Sequence, residues 1–145
     1  MMSRMIVLDT NVIAETMRPT PSSKVLAWLD AQEPNLLYTT AVTEAELRFG
    51  IAKLAEGKRR DALAQALDGA FATLFYSRSL AFDSQAARAY AEIVTHRAQI
   101  GRPISQFDAQ IAAIARTHGA HLATRNIRDF TACGVDLIDP WQWHT

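Results

Sequence analysis

Asp9 closes the short apolar run Met5-Ile6-Val7-Leu8 and is followed at once by Thr10-Asn11-Val12-Ile13. An acid at the end of such a strand projects into the crevice beyond the carboxyl ends of a parallel sheet, where α/β proteins place reactive groups. Glu46 has Val42 and Gly50 one turn away and Thr43 and Phe49 at three-residue spacing, so it lacks a basic partner and borders an apolar stripe. Asp108 falls on a helical wheel beside Ile104, Ile111, Ala112 and Ala115, with no lysine or arginine three or four residues away. A carboxylate so placed must be hydrogen-bonded, bound to a metal or strongly shifted in pKa, because leaving a desolvated charge unpaired is expensive. Further along, Thr124-Arg125-Asn126-Ile127-Arg128-Asp129-Phe130 offers two more oxygen donors, Asn126 and Asp129. Hard oxygen donors without histidine or cysteine suit Mg²⁺ or Mn²⁺ rather than zinc. Such an ion activates water and neutralises charge on a phosphate.

Two of these acids have a plainer explanation. Thr43-x-x-Glu46 and Ser105-x-x-Asp108 both match capping-box spacing, in which the acid reaches back to a free backbone amide. For either residue alone, capping is the better account. Asp9 in the same register reverses the balance, because one crevice at the top of a parallel sheet requires acids at a strand end and in the first turns of the following helices. The remaining acids are ordinary: Glu44 has Arg48 one turn later, and Asp61 and Asp68 sit on solvated faces. His96, His118, His121 and His144 show no metal-ligand spacing and read as surface or helix-end residues.

The elements that must carry these side chains alternate along the chain. After the first strand, Val12 and Thr16 lie one helical turn apart before Pro19-Thr20-Pro21 breaks the chain. Ser22 or Ser23 caps a helix with Val25, Leu26, Trp28 and Leu29 on its apolar face. Leu36 to Thr39 reads as a second strand. A helix from Ala41 follows, apolar at Val42, Ala45, Phe49 and Ala52 and ending near Gly57, and another spans about Arg60 to Leu74. Arg78-Ser79-Leu80 is a weak third strand. Asp83 caps a helix carrying Ala87, Tyr90, Ile93 and Val94, and Ser105 opens one with Phe107, Ile111, Ile114 and Ala115 inward. His121 to Thr124 and Val135 to Ile138 are the last two strands. Short strands separated by helices predict a three-layer α/β domain with a parallel sheet.

Composition bounds the partners. The 145 residues are one domain's worth, with 49% apolar and 21% charged residues, which excludes disorder as the main state. Lysine plus arginine equal aspartate plus glutamate at 15 each, so bulk charge gives no general attraction to nucleic acid or membrane. From Ile93 to Arg128, however, Asp108 is the only carboxylate among Arg97, Arg102, Arg116, Arg125 and Arg128. A phosphate-bearing partner can use such a segment, although scattered surface arginines are the commoner explanation. The longest early apolar run is far short of a signal-peptide core or a membrane span, which predicts a cytoplasmic protein. Lone Cys133 forms neither a disulfide nor a zinc site and reads as a small buried hydrophobe.

Asp9-Thr10-Asn11, Glu46-Leu47, Asp108 with the helix that follows it, Thr124-Arg125-Asn126 and the late Asp139-Pro140-Trp141, in that order, resemble a PIN-domain ribonuclease. More narrowly the chain resembles the VapC-like toxins of type II toxin-antitoxin pairs, including the FitB-like branch. The resemblance covers nearly the whole length and implies a single PIN domain over residues 1–145, with a five-stranded parallel sheet of order 3-2-1-4-5. It also implies Mg²⁺- or Mn²⁺-dependent cleavage of RNA, with Asp9, Glu46 and Asp108 as the acidic ligands. Asn11 matches a residue that orients that cluster, with Thr10 and Thr124 beside it, and Arg125 or Arg128 would hold the RNA backbone or else simply face solvent. The fourth family acid is where the chain departs: Asn126 stands at the expected position and Asp129 three residues on. Either Asn126 holds a water as a neutral group, or Asp129 supplies the charge, or a second metal site is weakened.

Partners implied by the resemblance are an RNA substrate, a cognate VapB-like antitoxin and a second copy in a homodimer. Trp28, Leu29, Phe49, Ile51 and Leu54 would furnish an apolar groove or dimer patch beyond what one core needs, with core packing the alternative for each. Trp141 and Trp143 read as packing residues. Two other α/β phosphate enzymes also carry an early aspartate. A haloacid-dehalogenase-like phosphotransferase needs a second carboxylate two residues on, where this chain has Asn11, and a phosphoryl receiver needs paired early acids and a late lysine. The non-enzymatic alternative is a PIN-like module that binds RNA or a partner without cutting, made credible by Asn126.

Overall fold

A central strand of only three residues survives here because it is buried on both faces. In β1 (Ile6–Leu8) every residue is buried. Ile6 and Leu8 point into one core, and Val7 into the other, as the two-residue side-chain period requires. The structure, a computed structural model, describes residues 4–144. Its strands β1, β2 (Leu37–Thr40), β3 (Ser79–Leu80), β4 (His121–Ala123) and β5 (Asp136–Ile138) form one parallel sheet of order β3-β2-β1-β4-β5. The chain builds outward from β1 through β2 to β3, then crosses back to add β4 and β5 on the other side. The order therefore reverses between β1 and β4, which opens a crevice beyond their carboxyl ends.

Helices α1 (Thr10–Thr16), α2 (Ser23–Asp30), α3 (Ala41–Ala52) and α4 (Lys58–Ala72) contribute to the first core, in which Val12, Val25, Trp28, Leu47 and Leu67 pack with Ile6 and Leu8. On the opposite face α5 (Ser84–Gln99), α6 (Gln106–Thr117) and the short α7 (Ile127–Phe130) enclose Val7, Ile93, Ile111, Ile114, Leu122 and Phe130. Caps follow the local chemistry: Ser22, Asp83 and Ser105 each accept a hydrogen bond from a free first-turn amide. Cys133 is buried, and no described helix is long and apolar enough to cross a membrane.

Several helical faces differ from those that the sequence suggests. The α3 stripe is Thr43 and Leu47, while Ala45 and Ala52 are exposed and Phe49 is 64% exposed. The helix starts directly from β2, so its inward face follows the sheet rather than the richest apolar spacing. Phe107 is 53% exposed rather than inward, because α6 presents the alanine and isoleucine stripe from Ala109 to Ala115 to the sheet. In α5 Ala86 is buried in place of Ala87, which lies outside. Helix α3 stops at Ala52, short of Gly57, and α4 begins at Lys58.

Gly134, between α7 and β5, has a φ of 74°, and a Cβ there would meet Arg116 Nε at 3.3 Å. Gly134→Ala is expected to destabilise the fold by about 1–2 kcal/mol, read as a lower urea midpoint. An unchanged midpoint would show that this turn relaxes freely.

Candidate functional site

Asp9 sits where β1 gives way to α1 and is 5% exposed. Its backbone N–H still belongs to the sheet, donating to Ala123 O at 2.9 Å, while its carboxylate caps α1 by accepting from Thr10 N at 2.7 Å. The second carboxylate oxygen accepts from Thr124 Oγ1 at 2.8 Å and from Asn11 Nδ2 at 3.3 Å. Burial pushes the Asp9 carboxyl up from 3.8 to about 6, against the lowering effect of the Thr124 and Thr10 hydrogen bonds. The negative charges of Asp108 and Glu46 contribute smaller parts of that rise, so three acids share this crevice.

Glu46 projects from α3 and is half-buried. The capping-box reading fails for it, because α3 begins earlier: Thr40 is the N-cap and accepts from Thr43 N at 3.0 Å. Thr10 Oγ1 donates to Glu46 Oε1 at 2.9 Å and lies 3.3 Å from the buried Thr43 hydroxyl. The residue after Asp9 thus orients Glu46 through its hydroxyl and Asp9 through its amide.

Asp108 lies in the first turn of α6, half-buried. Ser105 caps that helix by accepting from Asp108 N at 3.2 Å, leaving the carboxylate to face the crevice. Burial raises its pKa, interaction with the Ser105 hydroxyl lowers it, the charge of Asp129 raises it and that of Arg97 lowers it. Asp129 is exposed on α7, near enough to Asp108 for its charge to be felt there. Asn126 is exposed too and makes no side-chain capping bond; its backbone N–H donates to Thr124 Oγ1 at 3.0 Å.

Asn11 joins the two strand ends. Its amide donates to Asp9 and, at 3.3 Å, to Thr124 Oγ1, and its carbonyl oxygen accepts from Arg125 N at 3.2 Å. Thr10, Asn11 and Thr124 thus surround the Asp9 carboxylate with hydrogen-bond donors. The two nearby arginines behave differently from each other. The Arg125 guanidinium stacks over Trp141 at 5.1 Å from the ring centroid, whereas Arg128 is exposed on α7.

Two features escaped sequence reasoning. Arg97, grouped there with scattered surface arginines, is 4% exposed and donates to backbone carbonyls. Glu15 is also buried and accepts from Ser22 N at 2.8 Å and from Arg18, tying the end of α1 to the start of α2. The Glu15-x-x-Arg18 spacing was the available signal for the second; nothing local marks the first.

A cation would find a donor set made of oxygen, with a deeply buried carboxylate whose charge no lysine or arginine bonds to directly. These residues fit a hard divalent ion. Among the described residues, however, no three acidic, histidine or cysteine side chains converge closely enough to close on one ion in this conformation. Binding would require the half-exposed members to turn inward.

A parallel sheet of this order, with acids gathered at its central switch point, is the architecture of PIN domains, and the chain belongs to that family: the PIN-domain model matches residues 6–133. Within the family its similarity is to VapC and FitB toxins. The VapC ribonuclease Y4jK of Sinorhizobium fredii is 45% identical over 138 residues, 95% of this chain and 99% of that protein. Toxin FitB of Neisseria gonorrhoeae is 42% identical over 137 residues, with 94% and 99% covered. The crystal structure of FitAcB from the same organism matches with a TM-score of 0.91 at 41% identity, covering 96% of this chain and all of that one.

Proposed function

We propose that this chain is a divalent-metal-dependent endoribonuclease, a single cytoplasmic PIN domain over residues 1–145 that acts as the toxin of a type II toxin-antitoxin pair. The observation that carries the reading is the buried Asp9 carboxylate, its pKa raised to about 6, with the charges of Glu46 and Asp108 within electrostatic reach of it. Uncompensated carboxylates of this kind are costly unless a cation or a proton joins them. Asp9 and Asp108 would hold Mg²⁺ or Mn²⁺, with Glu46 as a third ligand or as the base for water, and Asp129 or Asn126 on the fourth side. The ion supplies activation of water and neutralisation of charge on the scissile phosphate.

This chain's own residues do the positioning. Thr10 Oγ1 holds Glu46 through one carboxylate oxygen, which leaves the other free to take a proton from water. Thr124 and Asn11 fix Asp9 from the β4 side. In-line attack at phosphorus would leave a 5′-phosphate and a 3′-hydroxyl. Arg128 is exposed and available for an RNA phosphate, whereas Arg125 must leave its Trp141 stack to reach one.

The FitAcB and FitB names support a protein partner of antitoxin type, VapB-like for this chain, and a homodimer is the assembly we infer. An apolar groove of about 550 Å³ beside Glu46, lined by Met17, Leu47, Ile51, Leu54 and Leu63, supports such docking. Of the aromatic candidates for a patch, Trp28 is used up in the core and Phe49 is free. A second reading, binding without cleavage, is favoured only by the neutral Asn126.

Cleavage of a defined RNA panel with Mn²⁺, with Mg²⁺ and with EDTA decides between the two readings. The expected result is cleavage with either ion, none in EDTA, and loss in Asp108→Asn. Equal cleavage in EDTA would sink the metal-dependent reading, and none under any condition would favour the binding module.

A further inference from the structure

Arg97 is 4% exposed, and among the described residues it makes no salt bridge with a carboxylate. Its guanidinium is satisfied by backbone instead. Nε donates to Arg102 O at 2.6 Å, and Nη1 donates to Asp129 O at 2.9 Å and Thr131 O at 3.0 Å, with Cys133 Sγ at 3.6 Å. Burying a cation on carbonyls alone is an expensive way to fill space, since an apolar side chain of similar volume packs at lower cost. The expense is explained by what two of the carbonyls belong to: α7 and the turn after it, the segment that carries Asp129.

That segment has few other anchors. Helix α7 is only four residues long and has no side-chain cap, and Phe130 is its one fully buried side chain. It packs on α6, the helix of Asp108. The following turn passes through Ala132 at a φ of 60°, a conformation that an alanine keeps only where its surroundings hold it. Arg97 Nη1 spends its two hydrogens on the Asp129 and Thr131 carbonyls while Nε pins the plane of the group to Arg102 O, a two-nitrogen arrangement that the single nitrogen of a lysine does not reproduce.

We propose that Arg97 is a positioning residue for the fourth carboxylate: by holding the carbonyls of Asp129 and Thr131 it sets Asp129 beside Asp108, where both serve the same divalent cation. This rests on the reading of Asp9, Glu46 and Asp108 as cation-binding acids and deepens it, giving the fourth side to Asp129 rather than Asn126. The packing of α7 against α6 is the geometry behind that placement.

The test is calorimetric titration of the metal-free protein with Mn²⁺, well below its melting temperature. The proteins compared are the unaltered chain, Arg97→Lys, Asp129→Asn, the double variant and Asp9→Asn. Arg97→Lys and Asp129→Asn are each expected to weaken Mn²⁺ binding by about tenfold, and the double variant no further than Asp129→Asn alone. A lower melting temperature with unchanged Mn²⁺ affinity in Arg97→Lys would make the residue merely structural and overturn the proposal, as would multiplying losses in the double variant. An unaffected Asp129→Asn beside a non-binding Asp9→Asn would overturn this inference and leave the nuclease reading standing. Undiminished binding in Asp9→Asn would remove both. If Arg97→Lys does not fold, Arg97→Gln carries the same comparison.

Discussion

Asp9→Asn is expected to abolish RNA cleavage and, in the same protein, to raise the melting temperature measured without divalent metal. The loss of activity should be at least about a hundredfold, the scale on which removing one preorganised charged or donor group at a reaction centre is felt. The gain in stability has a separate cause. Folding raises the Asp9 pKa from 3.8 to about 6, so the native state holds a proton there that the unfolded chain has released. The contribution of Asp9 is then most favourable below 3.8, is lost as pH rises through 6, and stays lost at neutral pH. The rise corresponds to about 3 kcal/mol. Asparagine keeps an oxygen for Thr10 N and carries no charge, so part of this is recovered, as about 5 °C at pH 7.5. Thermal melts from pH 4 to 8 in EDTA check it: the difference between the two proteins should grow between pH 4 and 6 and then level off. A variant that melts lower throughout would mean that Asp9 is held mainly by its hydrogen bonds, and retained cleavage would end its catalytic assignment.

Phe130→Ala is expected to have the largest effect on stability alone, about 3–5 kcal/mol. Phe130 is 1% exposed and packs from α7 into the core that contains Ile111, Ile114 and Leu122. Nothing nearby is free to collapse into the space, because α6 lays a row of already buried alanines against the sheet. Phe107→Ala, at a residue 53% exposed, is the matched control and should cost less than about 1 kcal/mol. Urea denaturation of both distinguishes them, and equal losses would contradict the burial assigned here.

The alternation of strands and helices was legible from local rules, the sheet order followed from the family pattern, and Asp9 and Asp108 stood out as candidates by their placement. Asp9 announces itself by ending an apolar run, and Asp108 by standing on an apolar helix face without a partner. What stayed hidden depends on distant neighbours. The inward face of α3 is chosen by its exit from β2, which buries Thr43 and exposes Phe49. Helical periodicity alone favours the reverse. Arg97 looks like any surface arginine until α7, thirty-odd positions away, supplies its carbonyls. Helix α7 itself is too short to leave a periodic signal.

The bonds from Asn11 to Thr124 and Arg125 span 113 and 114 positions. Closing so long a loop comes late in folding, after local helices and the first strand pairs have formed. During synthesis Asp9 emerges more than a hundred positions ahead of the groups that clasp it. A nascent or truncated chain lacking β4 leaves Asp9 unclasped on its β4 side. On the proposed function, the capacity to cut RNA arises only after β4 has been made, which gives an inhibitor made alongside the chain time to be waiting.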